Sequence, residues 1–205
     1  AHGAEAEARR AFSLTLASDE LLHLAHRVGD PETTRNLFVR AERNVTAPGS
    51  DGDGTLFFAL TAKAKKAGAA FAEQAGFFAD GLRELLFFDD APRSKGYDIA
   101  ELWVNDAMRA SERFGALAGI GRSLIEAAEK LTHACQELVG YLEDVEGAQV
   151  IQREIASAAM ELKDIMNAAE VILLQGGEQY VYAATLSRKA DRSRDCIEAL
   201  PFNVG

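Results

Sequence analysis

A chain of 205 residues, 48% hydrophobic, is long enough to bury a substantial core in a single domain. Its formal net charge of -10 repels phosphate backbones and anionic lipid headgroups, so nucleic-acid and membrane-surface binding are disfavoured. No apolar run approaches the roughly 20 residues of a membrane-spanning helix, the four-residue cluster at Leu85 to Phe88 being typical.

With 37 Ala, 19 Glu and only 4 Pro, the chain is rich in strong helix formers and poor in breakers, which predicts an all-α fold. A first helix is expected from about Ala4 to Val28, with Leu14, Leu21, Leu24, Ala25 and Val28 facing inward. Gly29-Asp30-Pro31 ends it, Gly suiting a C-terminal cap and Pro a first helical position. A shorter helix then runs from about Pro31 to Arg43, burying Leu37 and Phe38. Asn44 to Gly54, dense in Gly, Asp and Pro, is the clearest loop.

The next helix spans about Thr55 to Phe88, with Phe57, Ala64, Phe71, Phe78 and Leu85 recurring every seven residues. Gly68, Gly76 and Gly81 fall within it, and close helix contact is the expected compensation for their low helix propensity. A second loop covers Asp89 to Tyr97. Asp98 with Glu101 resembles a capping box, opening the strongest periodic segment in the chain. Its a positions are Trp103, Ala110, Leu117, Leu124, Leu131, Leu138 and Val145. Its d positions are Ala107, Phe114, Gly121, Ala128, Cys135 and Leu142. A strict seven-residue period over this length predicts one helix to about Glu146, roughly 73 Å long, lying against a partner throughout.

Gly147 is the expected break. A further seam follows through Ile151, Ile155, Ala158, Leu162, Ile165, Ala169 and Ile172. Beyond Gly176-Gly177 the same phase resumes with Ala183, Leu186, Ala190, Ile197 and Leu200. One kinked helix from Ala148 to Leu200 would match the seam helix and complete a long antiparallel hairpin; a chain reversal at the double glycine is the alternative. The expected architecture is thus one elongated antiparallel bundle over 1–205, a two-helix hairpin with additional packed helices.

Motifs that carry chemistry are sparse. Glu20 and His23 have the Glu-x-x-His spacing of bundle di-metal sites, but His133 follows Glu129 at four residues rather than three, so the second half is missing. His26 has no carboxylate at the right step, and no metal is expected at Glu20, His23 or His26. Asp51-Gly52-Asp53-Gly54 fails the calcium-loop pattern, since the register puts Gly49 at position 1 and Leu60 at position 12. No nucleophile-elbow, zinc-protease, phosphate-loop or dinucleotide motif is present, so no catalytic residue and no cofactor are expected. The Arg188 to Arg194 cluster is interrupted by Asp191 and reads as a solvated helix face. Gly119 to Gly121 is explained by close packing.

The two cysteines, Cys135 and Cys196, fit one disulfide or two buried thiols. On a straight final helix they lie far apart, which disfavours the bond; a reversal at the double glycine would bring them together. Asn44-Val45-Thr46 is an N-glycosylation sequon in the most loop-like segment. Phe57-Phe58, Phe77-Phe78 and Phe87-Phe88 each send one ring away from the main seam, toward further helices or toward an exposed apolar patch.

This Glu- and Ala-rich helical composition, with few cysteines and loops at the tips, resembles the glutamic acid/alanine-rich surface proteins of insect-stage trypanosomes. The resemblance covers composition and architecture and transfers no site residue. It implies a non-enzymatic coat protein on the outer cell surface, shielding the membrane, presenting tip loops and packing beside neighbouring coat molecules. Its glycolipid anchor would attach through a segment outside this chain, which begins at Ala1 and ends at Gly205. No signal peptide is apparent. The alternative is a ligand-binding helical bundle, as in a parasite nutrient receptor or a bacterial sensor domain, its ligand unspecified.

Overall fold

The computed structural model describes residues 12–45, 54–88, 98–189 and 191–202. Helix dominates, but the chain is not all-α: it contains a four-stranded antiparallel sheet in the order β1-β4-β3-β2. The strands are β1 (Leu14–Ala17), β2 (Ile99–Trp103), β3 (Tyr180–Ser187) and β4 (Cys196–Pro201). The principal helices are α1 (Ser18–Gly29), α2 (Leu37–Asn44), α3 (Thr55–Arg83), α4 (Glu112–Leu142) and α5 (Gln149–Ala169). The chain divides into two compact units, and α1, α3, α4 and α5 each contribute residues to both.

One unit comprises residues 1–21, 77–122 and 167–205 and holds the sheet. Its register pairs Leu16 with Ile197, Ala184 with Ile197, and Leu102 with Ala184. These residues share one face, and all four are buried together with Ala100, Leu186 and Ala199. The same unit buries Phe78, Leu82 and Leu85 from the end of α3 and the turn beyond it, Phe114 and Leu117 from α4, and Ile172 and Leu173. Gly81 and Gly121 admit close neighbours here: a Cβ on Gly81 would lie 3.1 Å from Ile120 Cδ1, and one on Gly121 would lie 2.7 Å from Leu173 Cδ1.

A buried ion pair ties the ends of the hairpin to α3. Asp195 is 1% exposed. Its carboxylate accepts from Arg83 Nη1 at 2.8 Å and from the Ser187 N–H at 2.9 Å. Its carbonyl accepts from the Ser18 N–H at 3.0 Å, joining β4 to the start of α1. Arg83 Nη2 also donates to the Ser187 carbonyl at 2.9 Å.

The other unit, residues 22–76 and 123–166, has helix as its only regular structure among the described residues. Leu24, Val28, Phe38, Phe57 and Phe71 are buried in it with Leu124, Leu131, Leu138, Ile155 and Leu162. Gly147, at φ +82°, lies in the turn between α4 and α5, and Gln152 on α5 donates back to the Val139 carbonyl of α4 at 2.9 Å. Phe57 stacks on Tyr141 with ring centroids 5.5 Å apart. Arg40 pairs with Glu154 at 2.7 Å, Lys63 with Glu137 at 2.7 Å, and Lys65 with Glu42 at 2.8 Å.

Helices α1 and α3 meet backbone to backbone. A Cβ on Gly68 would sit 2.0 Å from the Val28 carbonyl oxygen, and one on Gly29 2.3 Å from Ala72 Cβ. Close contact therefore accounts for Gly68, but not for Gly76 or Gly119, where an added Cβ would meet nothing within 4 Å. Gly68→Ala is expected to lose about 1–3 kcal/mol by overpacking, despite alanine's better propensity. Gly76→Ala should gain up to about 1 kcal/mol. Denaturant melts of the two variants check the pair, and a Gly68→Ala protein as stable as the parent would contradict the close approach.

Four local expectations are corrected. The first helix begins at Ser18, after β1, not near Ala4, and residues 1–11 lie outside the described chain. The second begins at Leu37 rather than Pro31, because Asn36 is the stronger cap: its side chain accepts from Phe38 N–H at 2.9 Å and Val39 N–H at 3.2 Å. Asp98 caps no helix; β2 follows it, and its carbonyl accepts from the Arg188 N–H at 2.8 Å. The seam helix starts anew at Ser111, whose Oγ accepts from the Phe114 N–H at 3.2 Å. Accordingly Trp103, Ala107 and Ala110 are exposed, while every seam position from Phe114 to Val145 is buried.

The fourth correction concerns the end of the chain. No helix continues to Leu200. The helix that holds α5 ends with a π-helical turn, Glu170–Gln175, and Gly176 stops it in the left-handed conformation at φ +58°. The chain then enters β3 and β4. Ala183 and Leu186 seemed to extend a helical phase because both faces of β3 are buried at this point, so apolar residues recur at almost any spacing.

Candidate functional site

A concave feature lies in the sheet-containing unit, where β2 ends and β3 begins. It is a groove of about 370 Å³ lined by Trp103 to Asp106, Arg109, Gly176 to Glu178, and Tyr180 to Tyr182.

Local sequence builds both walls. After β2, Asn105 starts a single helical turn, Asp106–Arg109, by accepting from the Met108 N–H at 2.9 Å. That turn places Arg109 beneath the groove. On the other side the π-helical turn shifts the backbone register. The Gly176 N–H bonds to the carbonyl of Val171, five residues back, at 3.1 Å. The Ile172 carbonyl, which Gly176 would engage in an α-helix, is left open, and Arg109 Nη2 donates to it at 2.8 Å.

The Arg109 guanidinium packs against two aromatic rings. Its Cζ lies 4.4 Å from the Tyr182 ring centroid and 5.1 Å from that of Phe114. It also lies close against Gly176, where a Cβ would come within 2.8 Å of Cζ and Nη1. Tyr182 is fixed in turn, its hydroxyl donating to the Gly177 carbonyl at 2.9 Å. Burial lowers the Arg109 pKa from its ordinary value, with Tyr182 and Asp106 opposing that shift. Burial raises the Tyr182 pKa, opposed by Arg109. The floor is therefore partly desolvated, with Arg109 and Tyr182 each held by a hydrogen bond.

Above this floor the groove is open. Trp103, the one tryptophan in the chain, is 45% exposed. Tyr180 is half-buried, its ring 6.1 Å from that of Tyr182. Asp106 and Glu178 are both exposed at the rim.

The residues singled out by sequence lie elsewhere. Glu20, His23 and His26 are all exposed on α1, and among the described residues no three His, Cys, Asp or Glu side chains converge. Asn44 is exposed at the last residue of α2; Thr46 and Asp51 to Asp53 lie outside the described residues, as does the loop 89–97. Both cysteines are free thiols, although the straight helix that argued against a disulfide does not exist. Cys135 is buried, which pushes its thiol up to about 12 and leaves it protonated and inert. Cys196 is half-buried on β4, and burial, with Glu198 nearby, raises its pKa.

The basic cluster is not a helix face but the β3–β4 connection. Lys189 pairs with Asp98 at 3.3 Å and Arg192 pairs with Asp80. Two of the three Phe pairs divide as helix geometry requires: Phe57 and Phe78 are buried while Phe58 and Phe77 are about half exposed; in the third, Phe87 is exposed and Phe88 half-buried. The Arg109–Tyr182 floor was missed entirely; its only trace in the sequence is the aromatic alternation Tyr180-Val181-Tyr182 after a double glycine.

Among the described residues, no helix is long and apolar enough to cross a membrane. The chain matches no protein-family model, no curated protein and no solved structure.

Proposed function

We propose that this chain is a non-enzymatic binding domain that captures a small molecule in the groove where β2 ends and β3 begins. The observation that carries this reading is the preorganised floor. Arg109 is held against two rings and on a carbonyl that the π-helical turn releases. π-Helical turns recur at functional sites, and a rigid base beneath exposed aromatic side chains is what small-ligand recognition requires. The groove volume falls within the range of such sites. Catalysis is not favoured, because the groove offers no nucleophile paired with a base.

The surface-coat reading rests on composition, and the sheet removes the all-α architecture from which the resemblance was drawn. The exposed Asn44 would suit a glycosylated ectodomain, and a binding domain on an outer cell surface remains compatible with this proposal.

Trp103 is a built-in reporter. Fluorescence titration with a mixed set of cationic, neutral and anionic small molecules should find at least one that shifts Trp103 emission saturably. Val181→Phe, which fills the groove, should abolish that response while leaving the melting temperature near that of the parent. If no compound of any class perturbs Trp103, the proposal fails.

A further inference from the structure

Resting on that reading, we infer that the groove selects small organic cations, an alkyl- or arylammonium group held against Trp103 and Tyr180 with the Asp106 and Glu178 carboxylates at its rim.

The argument begins with what the one cation lining the groove can still do. Arg109 donates Nη2 to the Ile172 carbonyl and packs against the Tyr182 and Phe114 rings and against Gly176. One corner of its fork is thus taken by the fold, which weakens it as a bidentate partner for a carboxylate or phosphate. The ionised groups left facing solvent at the rim are the carboxylates of Asp106 and Glu178. An anionic ligand would meet two like charges at the rim and an arginine already committed at Nη2. A cation meets attraction from both, within the field of a chain of net charge -10.

The aromatic side chains narrow the class further. The faces of indole and phenol rings attract cations through their quadrupoles, and ammonium ions lose less hydration than bare metal ions when they bind there. Two carboxylates alone are too few ligands for a metal, and no larger set of metal-ligating side chains converges among the described residues. An organic ammonium ion uses both kinds of wall, with its charge toward the rim and its carbon body along Trp103, Tyr180 and Val181.

Three probes of nearly one shape separate charge from bulk: choline, its neutral isostere 3,3-dimethylbutan-1-ol, and the anion 3,3-dimethylbutanoate. Each is titrated into the intact chain at matched ionic strength, following Trp103 emission. Choline should saturate the response, with the neutral isostere about tenfold weaker and the anion weaker still. Glu178→Gln, at an exposed position, should weaken choline about two- to fivefold and leave the isostere unchanged. Equal binding of choline and the neutral isostere overturns the inference, as does stronger binding of the anion or no response to choline. In those cases the binding-domain reading survives if another compound still shifts Trp103, and fails with the inference if none does.

Discussion

Asp195→Ala is expected to cost about 3–5 kcal/mol of folding stability, the largest loss at any polar position in the sheet-containing unit. The substitution does more than delete one contact. It strands the Arg83 guanidinium, which is only 21% exposed, and leaves the Ser187 N–H without its acceptor. An uncompensated charge in a poorly hydrated site costs far more than an exposed pair contributes. Asp195→Asn keeps an acceptor for Ser187 and removes the charge, so its loss should be smaller. Replacing both partners, Arg83→Met with Asp195→Leu, should recover much of the stability, because neither charge then remains unpaired. Urea unfolding of the four proteins reads these differences directly. A loss below about 1 kcal/mol for Asp195→Ala would mean that Arg83 finds another partner or reaches water.

Asp195 also shows why part of the fold could be read and part could not. It lies in a basic-looking stretch, Arg188 to Asp195, whose composition suggests a solvated face. Its structural role depends on Arg83 and Ser18, far away in the chain. The heptads from Phe57 to Leu85 and from Phe114 to Val145 were legible because helical periodicity is local and repeats over many turns. Strands β2 and β1 hold five and four residues, too short to establish a period against the helical composition around them. β1 also pairs with β4, near the other end of the chain. The groove was illegible for the same reason. Arg109 and Tyr182 were read on two supposed helices, and the double glycine was read as a kink. What makes the floor is a one-residue change in hydrogen-bond register at Gly176, and side-chain pattern carries no mark of it.

The corrected start of α4 has its own quantitative consequence. Leu131 is fully buried on that helix, so Leu131→Ala should cost about 2–5 kcal/mol, the transfer loss of the removed carbons plus the cavity left behind. Ala107 occupies a position of the same heptad series, yet it is exposed. Were a single seam continuous from Trp103, Ala107→Gln would push a polar amide into a helix interface and cost more than about 1 kcal/mol. With the helix restarting at Ser111, the same substitution faces solvent and should change stability by less than about 0.5 kcal/mol. Thermal or denaturant melts of the two variants separate the alternatives. A large loss at Leu131 with none at Ala107 places the start of the buried seam between them; comparable losses at both would restore the uninterrupted helix and remove the short turn that carries Arg109.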